Sequence, residues 1–574
     1  MHSSLPSFDV REVPFSRRGS WVNLSPVVAP HTTADDIHLV SHRTGMHAVL
    51  ALRPSTADAS RPLRISADPS VLTWHLGDDL RVRAVFEDTD ALRIRGDAGT
   101  ILDVSDAAAE LTPFTGTYLF QDPADGSAVF TSYETGGRHR ITMIRGDLAI
   151  TGGQALGRTE RAVTLGGHDG WEAAIEELET ARAPFGPARP FDEAAAQVAA
   201  EFAAYAEAIA PWRNAATPAA DLACYVMWSA TVSPAGFLHR ESVLMSKHWM
   251  DKVWSWDHCF NALALAPGLQ REAWDQFLAP FDHQDATGAL PDSIAHSERL
   301  YNFVKPPIHG WALRRLRAAG LKMTPGQLRE AYAGLAAWTR FWLSRRTTPR
   351  SALPVYQHGN DSGWDNSTAF DRDRVVHAPD LAAFLLVQLD VLAETASELG
   401  EDPKPWRDEQ ERLHAALMAE LWRGDGFVAR GVPDGPSGGV DGRRTSLITL
   451  MPLVAADILA PEVSRTLSRH VAPFLTEWGP ATELPESDAY EPDGYWRGPI
   501  WAPATLLLED GLRRSGDATT ADAVSARFRR LCETSGFAEN FDALTGEGLR
   551  DRAYTWTAAT YLVLAREAAA RDGR

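Results

Sequence analysis

From residue 217 onward the sequence alternates strictly between two kinds of helical stretch, and this alternation limits the fold more than any other feature. Amphipathic stretches lie at about 217–230, 271–281, 326–345, 404–422, 461–473 and 519–534. Stretches apolar nearly all round lie between them, at about 258–266, 308–319, 380–394, 446–457, 500–508 and 554–566. In KPWRDEQERLHAALMAELW, Trp406, Leu413, Ala416, Leu417 and Leu421 form one stripe and the rest is mostly charged. A helix of that kind keeps one wet face, whereas PIWAPATLLLED and SLITLMPLVAAD read as helices buried on most sides. Six outer–inner hairpins with a buried inner ring predict an (α/α)6 toroid. A linear solenoid would expose one face of every hairpin and has no use for six all-apolar helices.

The first 182 residues have a different period. Leu80, Val82 and Ala84 alternate with Arg81 and Arg83, and similar runs occur at 21–29, 36–42, 47–53, 62–75, 92–95, 128–133 and 138–144. Period two broken by Gly, Pro and Asp clusters predicts an antiparallel β-sandwich. Residues 170–182 read as a short helix, APFGPARPF (183–191) as a linker, and 192–211 as a lead-in helix. The expected organisation is therefore a β-sandwich over 1–182, a linker over 183–191 and a helical domain over 192–574.

The formal charge of −20 disfavours nucleic acid and anionic lipid as partners. No run approaches the roughly 18 apolar residues of a membrane span, and the N-terminus lacks a signal-peptide core. Cys224, Cys259 and Cys532 are few, odd in number and far apart, which predicts free thiols in a reducing, cytoplasmic setting. No phosphate-binding, dinucleotide-binding, metal-ligand or nucleophilic-serine motif occurs, so no cofactor and no metal are inferred.

Tryptophan is abundant, 19 against 11 tyrosines. Many of these fall in the six loops that enter the apolar helices: KHWMDKVWSWDH, NFVKPPIHGW, GNDSGWDNST with HAPD, GRRTS, PDGYWRGPIW and ENFDALTGEGLRDRAYTW. Outer-to-inner loops of a toroid emerge at one end, so the fold expectation converges them on one aromatic, acidic rim. Indole faces stack on the C–H faces of sugars, and indole N–H groups reach hydroxyls. The expected partner is a small neutral carbohydrate. A glycosidase needs one protonated and one ionised carboxyl across the scissile bond. Asp365, beside Trp364, suits the acid; Glu483, Glu491, Glu539 and Glu547 are candidates for its partner.

Other rim residues have two readings each. Asp257 either caps its helix or accepts from sugar hydroxyls. His309 is a structural donor or a sugar contact. Trp254, Trp256, Trp311, Trp496, Trp501 and Trp556 stack on sugar or simply pack. Asp361 is a contact or a turn former, Asp380 a helix cap, and Arg497 binds substrate or holds a carboxylate ionised. A carboxylate-bearing aglycone would need a cation, for which Arg443, Arg444 and Arg550 are in reach.

The motifs GWDNS (363–367), WSWDH (254–258), KPPIHGWA (305–312), HAPDL (377–381), YWRGPIWAP (495–503) and ENF…TGEGL (539–549) followed by YTWTAA resemble glycoside hydrolase family 63, in that family's order. YWRGPIWAP and GWD are also similar to the related family 37 trehalases. The likeness spans about 215–570 and is to bacterial members of the α-glucosidase and mannosylglycerate-hydrolase kind. It implies an exo-acting, anomer-inverting α-glycosidase, with α-glucosidase the leading reading. Mannosyl- or glucosylglycerate hydrolysis and inverting disaccharide phosphorolysis are the alternatives, and a non-catalytic sugar-binding protein is the reading from another class. It further implies Asp365 as general acid, Glu539 as general base, Asp257 as the group that grips the non-reducing sugar, and Trp496, Arg497 and Trp501 around that sugar. Asn366 joins the candidate contacts from the GWDNS motif. Asp361 stands where relatives more often carry Glu, and Glu547 remains the reserve base. The base role requires polar surroundings that keep the carboxylate ionised.

Overall fold

A computed structural model describes residues 5–58, 61–108, 116–133, 135–157, 159–433, 435, 438–571 and 573. The N-terminal part is two antiparallel sheets. One runs, in spatial order, Val22–Ala29, Thr32–Ser41, His47–Thr56, Thr100–Asp106, Ala162–Gly166 and Asp147–Thr151. The other runs Leu63–Ala67, Leu72–Leu76, Leu80–Asp88, Ala91–Gly96, Trp171–Leu178, Arg138–Arg145, Ala128–Ser132 and Thr117–Gln121. Leu50, Leu52 and Val104 from the first sheet and Trp74, Val82 and Ile94 from the second share one apolar core.

The stretch expected as a helix at 170–182 is instead the strand Trp171–Leu178, fifth of eight in its sheet. WEAAIEEL carries helix-forming Ala and Glu, but neighbouring strands of its sheet, and the turn after the strand Thr32–Ser41, supply partners for its acids. Arg140 stands opposite Glu176 and bonds to it at 2.8 Å, Arg93 pairs with Glu172, and Arg43 with Glu177 at 3.0 Å. The strands at 100–106, 117–121, 147–151 and 162–166 carried no expectation.

Thirteen α-helices occur among the described residues. They are α1 (Phe191–Ile209), α2 (Ala220–Ala230), α3 (Asp257–Leu265), α4 (Gln270–Leu278), α5 (His309–Ala318), α6 (Pro325–Arg345) and α7 (Gly359–Ser362). After them come α8 (Pro379–Leu399), α9 (Lys404–Glu420), α10 (Pro461–Arg469), α11 (Ala502–Arg514), α12 (Ala518–Ser535) and α13 (Thr555–Arg571). The apolar stretch at 446–457 forms a 3-10 helix, Leu447–Ala455, with Pro452 inside it. α3 packs on α5, α5 on α8, α8 on the 3-10 helix, that helix on α11, α11 on α13, and α13 on α3. α7 is a single helical turn inside GNDSGWDNST, closed by Gly363 at φ +73°.

The two parts meet over a large contact. The Phe8 ring stacks on Tyr225 of α2 at 4.3 Å, and α1 packs on the strand Leu80–Asp88. No helix among the described residues is long and apolar enough to cross a membrane.

Candidate active site

The loops entering α3, α5, α11 and α13, together with α7 and its exit, surround a cavity of about 180 Å³. Its wall includes Trp254, Trp256, Asp257, Asp365, Trp496 and Trp556, all named from the sequence. It also includes Asp292, Lys305, Tyr495 and Tyr554, which sequence reasoning missed as site residues. Lys305, Tyr495 and Tyr554 lie within the quoted KPPIHGWA, YWRGPIWAP and YTWTAA motifs, so position in those motifs was the available signal. Asp292 lies in a three-stranded ribbon with Val253–Trp254, outside any rim loop, and had none.

Lys305 lies among three cavity carboxyls. Its Nζ is 3.1 Å from Asp292, 4.0 Å from Asp365, and donates to the Asn360 carbonyl at 2.9 Å. Burial pushes Lys305 down, but Asp365, Asp292 and Asp257 outweigh it and raise its pKa. Burial raises Asp257 to about 8, with Lys305 opposing. Burial also raises Asp365, again against Lys305 and with Asp292 adding to the rise. One ammonium cannot neutralise three close carboxylates, so the cluster holds a proton in the range where a general acid works. The Asp365 side chain is 28% exposed and faces the cavity. Asp257 is the first residue of α3 and provides no side-chain cap; its buried Oδ2 has no protein partner.

Glu539 lies beside this wall, with Tyr495 between. The Tyr495 hydroxyl donates to its carboxylate, its N–H bonds to the Asp551 carbonyl at 2.7 Å, and Trp556 Nε1 donates to its carbonyl at 3.3 Å. Its surroundings are not the polar ones expected of a base. Glu539 is 4% exposed, and burial, followed by Asp551, raises it to about 8, while Arg550 and Tyr495 oppose.

The remaining predicted residues lie behind the wall or away from it. Trp501 stacks on Trp496 at 4.0 Å with ring planes 7° apart, and Trp364 packs on Trp496 at 4.8 Å. Asn366 bridges two loops, donating to the Gly494 carbonyl at 3.0 Å and accepting from the Trp496 N–H at 2.9 Å. Arg497 donates to the Asn366 carbonyl at 2.8 Å and pairs with Asp371. Asp361 accepts from Val304 N, Gln357 N and Arg346, so its oxygens brace loops. His309 donates from Nε2 to the Ser255 carbonyl, and burial lowers it to about 4. Trp311 donates to Asp510 at 2.8 Å. Asp380 accepts from the Tyr356 hydroxyl at 2.9 Å. Glu483 is buried and accepts from Thr368 and Ser487, whereas Glu491 and Glu547 are exposed. Arg443 pairs with Asp488, Arg444 with Asp425 and Arg550 with Asp493 at 2.7 Å; of the three, Arg550 is beside the cavity wall, over Tyr495.

Residues 250–557 match the model of the mannosylglycerate hydrolase MGH1-like glycoside hydrolase domain. A mannosylglycerate hydrolase of Rubrobacter radiotolerans is 26% identical over 402 residues, 54% of this chain and 89% of that protein. A glucosylglycerate hydrolase of Mycolicibacterium hassiacum is 23% identical over 409 residues, 54% of this chain and 91% of that protein. Among solved structures, a family 63 mannosylglycerate hydrolase of Thermus thermophilus in complex with Tris and D-glycerate aligns at a TM-score of 0.51. It is 22% identical and covers 60% of this chain and 99% of its own.

Proposed function

Because the chain belongs to the MGH1-like glycoside hydrolases of family 63, we propose that it hydrolyses an α-mannosyl or α-glucosyl conjugate of a small organic acid such as glycerate. Its relatives are named for glycosylglycerates, which moves that alternative ahead of α-glucosidase. An acid-bearing substrate, in place of the neutral one first expected, would meet Lys305 and Arg550, which already pair with Asp292 and Asp493. The observation that carries the chemistry is Asp365, with its pKa raised, facing a cavity whose wall residue Tyr495 bonds to Glu539.

In this reading, protonated Asp365 donates to the glycosidic oxygen as the C–O bond breaks. Glu539 acts in the fraction of molecules in which it is ionised, which grows as pH approaches about 8; it takes a proton from water, and that water attacks the anomeric carbon from the opposite face, giving the β-sugar. Asp257, held neutral by burial, both donates to and accepts from sugar hydroxyls. Trp254, Trp256, Trp496 and Trp556 supply apolar faces for the ring. The cavity is small beside the ~300–1,000 Å³ of drug-sized sites, which favours removal of one terminal sugar.

The same reading takes the helical part as an (α/α)6 toroid, supported by a packing order that returns from α13 to α3. It divides the chain into a β-sandwich domain (1–182), a linker (183–191) and a catalytic domain (192–574), and α1 beginning at Phe191 supports that division. A cytoplasmic location belongs with it, supported by three buried, unpaired cysteines.

Proton NMR of fresh reactions with mannosylglycerate, glucosylglycerate and α-linked disaccharides, in phosphate-free buffer, tests the proposal. The expected result is free β-sugar from a glycosylglycerate. α-Sugar as first product overturns the inverting assignment, and turnover only with added phosphate establishes phosphorolysis instead.

A further inference from the structure

Residues Lys247–Asp251 run between the two parts of the molecule, and their side chains reach into both. Lys247 Nζ reaches into the N-terminal part, donating to Ser16 Oγ at 3.0 Å and to the Ser20 carbonyl at 2.6 Å. Trp249 packs against His31, in the turn between the first two strands, with ring centroids 4.9 Å apart. Asp251 Oδ2 lies 3.0 Å from His42 Nδ1. The two residues between reach the helical part, the His248 ring also stacking on that of Trp249 at 5.9 Å. His248 Nδ1 donates to Asp551 Oδ1 at 3.0 Å, and Met250 lines the cavity. Asp551 in turn holds the backbone N–H of Glu539.

The bonds on the N-terminal side have one self-consistent polarity. Asn23 Nδ2 donates to the Lys247 carbonyl at 2.6 Å and, with its other hydrogen, to His42 Nε2 at 2.8 Å. His42 Nε2 therefore accepts, Nδ1 carries the proton, and Nδ1–H donates to Asp251. Asn23, His42, His248, Asp251 and Asp551 are all buried. A buried network of this kind fixes the groups it joins more firmly than a surface contact.

We propose that residues 247–251 are a positioning segment through which the N-terminal part sets the placement of Glu539 and of the cavity wall at Met250, with His42 and His248 as its positioning residues. The proposal rests on Glu539 as the base. Residues 16–42 lie outside the matched family domain, so this control is added to the catalytic unit from without. The groups acting on Glu539 are Asp551, Arg550, Tyr495, Asp365 and Tyr554, and Asp551 faces both Glu539 and His248. Loosening His42 frees Asp251, then His248, and so changes the distance between Asp551 and Glu539. It reaches the base as a change in proton affinity.

The test uses full-length variants His42→Ala, His42→Asn, His248→Ala, His31→Ala and Glu539→Gln, each checked for folding. His42→Ala is expected to lose about 10-fold in kcat/KM. The acid limb of its pH profile is expected to move by about half a pH unit. His42→Asn, whose amide can donate to Asp251, is expected to recover most of both. His31→Ala, on an exposed turn, is expected to raise KM several-fold with kcat unchanged. If His42→Ala does not fold, His248→Ala, which loses the Nδ1–H donor to Asp551, gives the same readout. Wild-type kcat, KM and pH profile in folded His42→Ala or His248→Ala, with Glu539→Gln inactive, overturn the positioning role alone. Normal turnover in Glu539→Gln overturns the base assignment and this proposal with it.

Discussion

The Arg550 guanidinium lies 5.0 Å over the ring of Tyr495, and both residues hold a left-handed backbone, each at φ 62°. A non-glycine residue in that region costs of order 1–3 kcal/mol. Two such residues in contact place one cation and one hydroxyl against Glu539, and both lower its pKa. Arg550→Gln therefore lets Glu539 rise above about 8. Since the base acts ionised, the ascending limb of kcat/KM moves to higher pH. A limb that stays put or moves down counts against Glu539 as the group it reports.

Asp365→Asn and Glu539→Gln each lower kcat by about 10²–10⁴-fold, with circular dichroism and Tm close to those of the parent. Both side chains are near-isosteric replacements, so loss of turnover without loss of structure separates chemistry from folding. Near-normal turnover in either variant removes that residue from the mechanism.

Asp257 is raised from 3.8 to about 8 and Glu539 from 4.5 to about 8. Between those values the folded protein holds protons that the unfolded chain has released. This contribution is complete below the unfolded values and is lost as pH rises through the folded ones. Asp257→Asn removes a carboxylate that must otherwise ionise while buried. Its Tm relative to the parent is thus expected to be higher at about pH 9 than at about pH 4. Equal differences at the two pH values refute the raised proton affinity.

Gly363→Ala is expected to destabilise the protein by at least 1–3 kcal/mol or so and to weaken substrate binding as well. Gly363 sits at φ +73°, and an added Cβ would come 2.5 Å from the Trp256 ring, itself part of the cavity wall. Chemical denaturation and KM measure the two effects. A stable variant with unchanged KM shows that the wall can yield there.

The helical half was legible because its pattern is long and repeated, and ten of the twelve paired stretches lie within a few residues of α-helices of similar length. Of the other two, 461–473 forms the shorter α10, and 446–457 forms a 3-10 helix with Pro452 inside it. The strand Trp171–Leu178 was misread because its local composition favours helix while its arginine partners lie on strands far away in sequence. The site was partly legible for a related reason. A loop's aromatic and acidic content shows that it is unusual, but not which way each side chain points. Trp254, Asp257 and Trp496 reached the cavity, while His309, Asp361 and Arg497 went to bracing the loops that carry them. Asp292 came from a ribbon brought close only by tertiary pairing.

The Phe8–Tyr225 stack belongs to a single apolar core that runs unbroken from the N-terminal strands to α13. For protein engineers this is a limit on modularity. A catalytic unit trimmed to the length of its shorter relatives would uncover Tyr225, Phe202 and Trp228, three aromatic rings in mutual contact. Neither half is a cassette that can be exchanged or expressed alone without redesigning the face it turns to the other.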